Sequence, residues 1–114
     1  MLTKEQIISA SRLKFEEIDV PEWGGSVRIS VMSAKDRDAY DASTFKLVGK
    51  EIKPDMTNAR SKLLSRCIVD ADGAPMFTID ELAEMDSVVL DRLVAVARRI
   101  NGMTEDSIED EVKN

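Results

Sequence analysis

The stretch that decides the fold is CIVDADGAPMFT, which runs from Cys67 to Thr78. It begins as the end of an apolar helix, continues as an acidic turn that contains Gly73, and closes on a residue that can start another helix. Asp favours tight turns because its side chain bonds to nearby backbone, and glycine accepts positive φ. The stretch therefore predicts a helix, a turn and a further helix in close succession.

Two threonines in the chain open capping-box sequences. Thr3 and Thr78 are each followed three residues later by a glutamine or glutamate that can reach back to the threonine N–H. The first box predicts a short helix that ends near Arg12. The second predicts a short helix that ends near Glu84.

The most apolar helix is predicted after Asp86, which can cap it. Asn101-Gly102 is a stop signal at its other end. Between these limits the apolar residues recur at helical spacing; they are Val89, Leu90, Leu93, Val94, Val96, Ala97 and Ile100. We expect this helix to form the centre of the core.

Two short segments near the N-terminus alternate between apolar and polar residues. Ile18 and Val20 precede the loop PEWGG, residues 21–25, and the alternation resumes from Val27 to Val31. Period-two alternation on both sides of a Pro/Gly loop predicts a β-hairpin with one buried face. Trp23 would lie at its tip, either folded back over the core or exposed as an interface residue.

The middle of the chain predicts two more helices. Ser33 can cap a helix that runs to about Leu47, with Tyr40, Phe45 and Val48 near its buried side. Residues 49–54 break the pattern and predict a mobile loop. Pro54 then suits the start of a third helix, whose apolar stripe contains Ala59, Leu63 and Cys67.

These elements predict an α+β fold that is mostly α-helical, with an N-terminal β-hairpin packed on a bundle of about four to five helices. Residues 1–103 would form a single domain. Residues 104–114 hold five acidic residues against Lys113 and predict a flexible acidic tail. Residues 46–66 are the opposite, with six basic residues against two acidic ones.

The composition argues against several functional classes. The chain has no histidine and one cysteine, and its net charge is −6, so an enzyme, a zinc site and general nucleic-acid binding are not expected. Counted from Asp70 as a calcium loop, the required central glycine is Pro75. No apolar run approaches the length of a membrane span. We predict no catalytic residue, metal or cofactor, and a buried, inert Cys67.

The basic segment permits two interpretations. The simpler one is a solvated helix face and loop, because no aromatic residues are interleaved for base stacking. The other is contact with an acidic protein partner. The residues predicted to contact partners are Trp23, Lys46, Lys50, Lys53, Arg60 and Phe77, although Phe77 could instead belong to the core.

In order, these segments resemble the tail assembly chaperones of long-tailed, non-contractile bacteriophages and prophages. The likeness runs from residue 1 to about residue 103. It is carried by DVPEWGG (19–25) leading into VRI (27–29), the charged segment 33–38, CIVD (67–70), DG (72–73), MFT (76–78) and the closing helix from Leu93 to Gly102.

The resemblance implies a non-enzymatic assembly factor. Such a protein binds the tape measure protein, keeps it soluble, helps recruit tail tube subunits and forms a ring or spiral. A longer form, made by ribosomal frameshifting, often accompanies it. The resemblance places it in the host cytoplasm and outside the mature virion. The negative net charge and the lack of a long apolar run predict neither nucleic acid nor a membrane as partner. The alternative is a small phage-encoded regulatory or adaptor module that binds one protein as a monomer or dimer.

Overall fold

A computed structural model describes residues 1–103 and confirms an α+β fold with an N-terminal β-hairpin. The predicted acidic tail, 104–114, lies outside the described residues. The helices are α1 (Lys4–Ala10), α2 (Ala34–Ser43), α3 (Ala59–Cys67), α4 (Ile79–Ala83) and α5 (Ser87–Ile100). The strands are β1 (Phe15–Val20), β2 (Gly25–Ser30), β3 (Phe45–Val48), β4 (Glu51–Pro54) and β5 (Ile68–Val69), and a single 3-10 turn spans Pro21–Trp23.

The predicted caps start four of the five helices. Thr3 and Thr78 each complete a reciprocal capping box. The Ser33 hydroxyl accepts from the Asp36 N–H, and the Asp86 carboxylate accepts from the Val88 N–H. Each cap supplies an acceptor for an N–H group that has no partner within its helix.

The main sheet is antiparallel with the order β1-β2-β5. Strand β5 was not predicted, because Ile68 looked like the last residue of the helical stripe. In the structure Ile68 turns to extended backbone directly after Cys67 and pairs with Ile29 of β2. Both isoleucines are fully buried. The strand forms because pairing with β2 and burial both favour it, and neither is visible in the local sequence.

The acidic turn after β5 is confirmed. One carboxylate oxygen of Asp70 accepts the N–H groups of Asp72 and Ala74 at 2.9 and 3.0 Å. Gly73 has φ +84°, a conformation that residues with a Cβ rarely adopt. The turn reverses the chain and leads it towards α4.

Helix α5 lies at the centre of the core, as predicted. Its buried residues, Val89, Leu90, Leu93 and Ala97, belong to one cluster with residues of α3 and the sheet. Cys67 is fully buried in that cluster, and burial raises the pKa of its thiol to about 12. The Asn101 side chain closes the end of α5, where its amide donates to the Ala97 carbonyl and its oxygen accepts the Met32 N–H, both at 2.8 Å.

The prediction that the second helix reaches Leu47 is wrong. Helix α2 ends at Ser43, where the Ser43 and Thr44 hydroxyls donate to carbonyls of the preceding turn. Such bonds let Ser and Thr compete with helix continuation. Tyr40 is buried as expected, but Phe45 and Val48 are exposed because they lie on strand β3.

The prediction of a loop at residues 49–54 is also wrong. Gly49 and Lys50 form the turn of a second hairpin, and Glu51–Pro54 is its returning strand, β4. Pro54 therefore does not start a helix; it ends a strand in a two-stranded sheet, where its missing N–H is tolerated. Helix α3 starts later, at Ala59, after Asn58 with φ +53°.

Candidate protein-interaction surface

The second hairpin, β3–β4, presents an apolar face to solvent. Cross-strand partners share a face, and the register pairs Phe45 with Pro54 and Leu47 with Ile52. Leu47 is 71% exposed and Ile52 is 74% exposed, and every other residue of the two strands is also exposed. We call Phe45, Leu47, Ile52 and Pro54 the hairpin face.

The opposite face of this hairpin is basic. Lys46 and Lys53 lie directly opposite each other in the register, and Lys50 lies in the turn. Like charges in directly opposite positions destabilise a strand pair. The only acidic residue on the hairpin, Glu51, lies 3.8 Å from the Lys53 ammonium. The hairpin therefore combines an apolar surface with a basic one, and an acidic partner would relieve the repulsion.

The base of the hairpin is tied to the rest of the protein. The Asp55 N–H donates to the Thr44 carbonyl at 2.6 Å. The Lys62 ammonium of α3 donates to the Ser43 carbonyl at 2.9 Å and lies 4.0 Å from the Asp55 carboxylate. Hydrogen bonds from Thr57 hold the pKa of Asp55 below its ordinary value. A two-stranded hairpin is marginally stable by itself, so a surface that covers the hairpin face would stabilise it.

A groove of about 460 Å³ adjoins the base of the hairpin. Its wall is formed by α3, α4 and α5, with the segment that links β4 to α3. The apolar part of its lining consists of Met56, Ala59, Leu82, Ala83, Met85, Leu90 and Val94. Two arginines, Arg60 and Arg98, also line it. We call this space the α3–α5 groove.

The two arginines of the groove differ in their partners. Arg60 forms an ion pair with Asp91. Arg98 pairs with no carboxylate of residues 1–103, and its Nε is buried without a hydrogen-bond partner there. Its charge acts on Tyr40, where it partly opposes the rise in pKa that burial causes.

A third unpartnered surface is α1, which has no buried residue. Leu2, Ile7 and Ile8 are all exposed, and we call them the α1 surface. Hydrophobic residues scattered singly on a surface are ordinary, but adjoining ones often mark interaction sites. Residues 1–103 therefore include two exposed apolar elements, the helix near the N-terminus and the hairpin in the middle of the sequence.

Among known proteins, no family model matches the chain, and no curated protein matches it. A solved structure does, the bacteriophage HK97 tail assembly chaperone, at 21% identity and a TM-score of 0.52, over 89% of this chain and 92% of that one.

The chain has the fold of a bacteriophage tail assembly chaperone. The match spans most of both chains, so the likeness concerns the whole fold rather than one motif. At this identity the comparison establishes the fold and leaves the function to be argued from the surfaces.

The structure distributes the predicted contact residues over this tail assembly chaperone fold. Lys46, Lys50 and Lys53 lie together on the second hairpin, and Arg60 lies in the groove. Trp23 lies apart from both, in the 3-10 turn of the first hairpin, and is 40% exposed. Phe77 is partly buried and packs against the core.

The Trp23 turn is fixed to α5 by the neighbouring residue. Glu22 pairs with Arg92, and the hydrogen bond from Arg92 lowers the pKa of the Glu22 carboxyl. The indole is therefore held on a defined turn, neither fully covered nor fully free. The 40% exposure of Trp23 lies between the two alternatives that the sequence left open, an indole folded back over the core and an indole exposed as an interface residue.

Sequence reasoning missed the hairpin face and Arg98. The hairpin had a signal: Phe45, Leu47 and Ile52 alternate with lysines around Gly49-Lys50. Arg98 had none, because only the folded structure shows that its Nε is buried without a hydrogen-bond partner among residues 1–103.

Two further findings apply to residues 1–103. No described helix has the length and hydrophobicity needed to cross a lipid bilayer. The same residues contain no group of three or more Cys, Asp or Glu side chains placed to hold a metal ion.

Proposed function

We propose that this protein is a phage tail assembly chaperone that binds the tape measure protein, keeps it soluble and helps recruit tail tube subunits. The observation that carries the proposal is an exposed apolar hairpin face on a tail assembly chaperone fold. Such a surface associates with another protein chain, here a second copy, by burying apolar area and needs no bond to be made or broken. The proposed role is non-enzymatic and uses no cofactor.

We further propose that copies of the chain associate head to tail into a ring or spiral. The hairpin face of one copy packs against the α1 surface of the next, since each chain offers one of each. A heterologous contact of this kind repeats without using up either surface. Repetition multiplies the sites that can hold a long partner, and a frameshifted longer form could join the same assembly through the same contact.

The residues proposed to contact partners are Trp23, Lys46, Lys50, Lys53 and Arg60, together with the part of Phe77 that its core packing leaves exposed. The lysines would draw an acidic partner to the hairpin. We place the protein in the host cytoplasm during assembly and outside the finished virion.

Coexpression with the tape measure protein of the same genome tests this function. We expect the tape measure protein to be soluble with the wild-type chain and insoluble without it. A matched pair of variants locates the effect: Leu47→Thr with Ile52→Thr alters the hairpin face, and Val88→Thr alters an equally exposed residue of α5.

Tape measure solubility that does not depend on the wild-type chain would contradict the proposal. A chain that stays monomeric or dimeric and binds one other phage protein would instead support the adaptor alternative. Light scattering of the purified chain separates these two outcomes.

A further inference from the structure

The α3–α5 groove has the chemistry of a site for one face of a helix. Its lining is mixed: Met56 and Met85 are among its apolar side chains, and Ser61, Ser87 and the Arg60–Asp91 ion pair are among its polar ones. Methionine adapts to partners of different shape because its side chain is unbranched and flexible. Grooves between helices that carry apolar side chains recur as binding sites for amphipathic helices, whose polar residues can meet the polar part of this lining.

Arg98 makes this groove selective. A guanidinium carries five N–H donors, and leaving a buried donor unpaired is costly. Among residues 1–103, the Arg98 Nε has no hydrogen-bond partner and its guanidinium pairs with no carboxylate, whereas Arg60 of the same groove is already paired with Asp91. A carboxylate brought into the groove could therefore pair with the guanidinium of the partly exposed Arg98.

We infer that the groove binds a helical segment of the partner protein whose apolar face carries an Asp or Glu, with that carboxylate on Arg98. The inference rests on the proposed function, which supplies the tape measure protein as partner. It adds that the α3–α5 groove binds this partner and that the bound segment carries an acidic residue on its apolar face. A segment with a lysine or arginine in that place would be excluded, because two cations would then meet in a partly buried site.

Photo-crosslinking on the purified complex with the tape measure protein tests the location. Met56 is 59% exposed and lines the groove, so Met56→p-benzoylphenylalanine places the probe at its rim. Val88→p-benzoylphenylalanine is the matched control, on α5 but outside the groove lining. We expect cross-links from position 56 to a tape measure segment with apolar residues at i and i+4 and an Asp or Glu on the same face.

Substitution at Arg98 tests the charge. We expect Arg98→Gln to weaken binding of the tape measure protein about 10- to 100-fold, the range of a hydrogen bond to a charged group. Arg98→Lys should restore part of the loss. Arg99→Gln is the control, since Arg99 is the adjacent residue but pairs with Glu16 elsewhere on the surface, and it should leave binding within about twofold.

The outcomes distinguish the two proposals. If the wild-type chain does not bind the tape measure protein, the proposed function fails. If it binds and Arg98→Gln binds equally well, the function stands and the groove inference is overturned. Cross-links to a basic segment, or only to residues 104–114 of the chain itself, would also overturn the inference.

Discussion

Replacing Leu47 and Ile52 by threonine should dissolve the proposed head-to-tail assembly while leaving each copy folded. Threonine keeps the β-branching that suits a strand and removes most of the apolar area of the hairpin face. Both side chains are exposed in the isolated chain, at 71% and 74%, so the two substitutions together should change the free energy of unfolding by no more than about 1 kcal/mol.

The expected effect on association follows from the same exposures. Full burial of a Leu or Ile side chain contributes about 1.5–3 kcal/mol, and about seven-tenths of each side chain is available for burial. The two substitutions together should therefore weaken each contact by about 2–4 kcal/mol, which is about 30- to 700-fold in Kd. Sedimentation velocity should show monomers at concentrations where the wild type is assembled.

A mixing experiment tests the head-to-tail geometry. Ile7→Gln with Ile8→Gln removes the apolar side chains of α1 and keeps good helix formers. Each double variant should be monomeric alone, and an equal mixture should form dimers and nothing larger, because only one of the two contacts is intact. Val88→Thr should assemble like the wild type. A mixture that stays monomeric, or a hairpin variant that assembles normally, would refute the reasoning.

Three further predictions concern the folded chain. Asn101→Ala leaves the Met32 N–H without its acceptor and should lower the free energy of unfolding by about 1–3 kcal/mol, measured by urea titration. Burial raises the pKa of the Cys67 thiol from 9.0 to about 12. The contribution of this thiol to the free energy of unfolding is therefore complete below pH 9.0 and should fall between pH 9.0 and about pH 12, by up to about 1.4 kcal/mol per pH unit. Cys67→Ala should lack this part of the pH dependence of stability. Asp70→Ala removes the acceptor of two turn N–H groups and should cost about 1–2 kcal/mol; Asp70→Asn, which keeps an oxygen, should recover most of it in the same titration.

The predictions that held depend on interactions between neighbours in the sequence. In a capping box the threonine hydroxyl accepts the backbone N–H of the glutamine or glutamate three residues later, and that side chain accepts the backbone N–H of the threonine. Both bonds form wherever the helix lies in the fold. The turn at Asp70 likewise needs only its own side chain and Gly73. The helical stripe of α5 was recognised because its apolar residues recur at the helical period.

The predictions that failed concern segments whose backbone is determined by strand pairing. Residues 45–54 were divided between a helix and a loop although Phe45, Leu47 and Ile52 alternate with lysines around Gly49-Lys50, because that alternation is short and neither strand has a buried face. Strand β5 exists because β2 lies beside it. Both errors arose where pairing, rather than local propensity, determines the backbone.

The sequence by itself therefore determined where most helices start and where α5 stops, because each of these follows from residues within about one helical turn of each other. Only the tertiary structure decided that Leu47 and Ile52 face solvent and that Arg98 lines a groove in which no carboxylate of residues 1–103 pairs with it. The exposure of a side chain and its ion pairs depend on which elements lie beside it, and the groove around Arg98 exists only once α3, α4 and α5 have packed together.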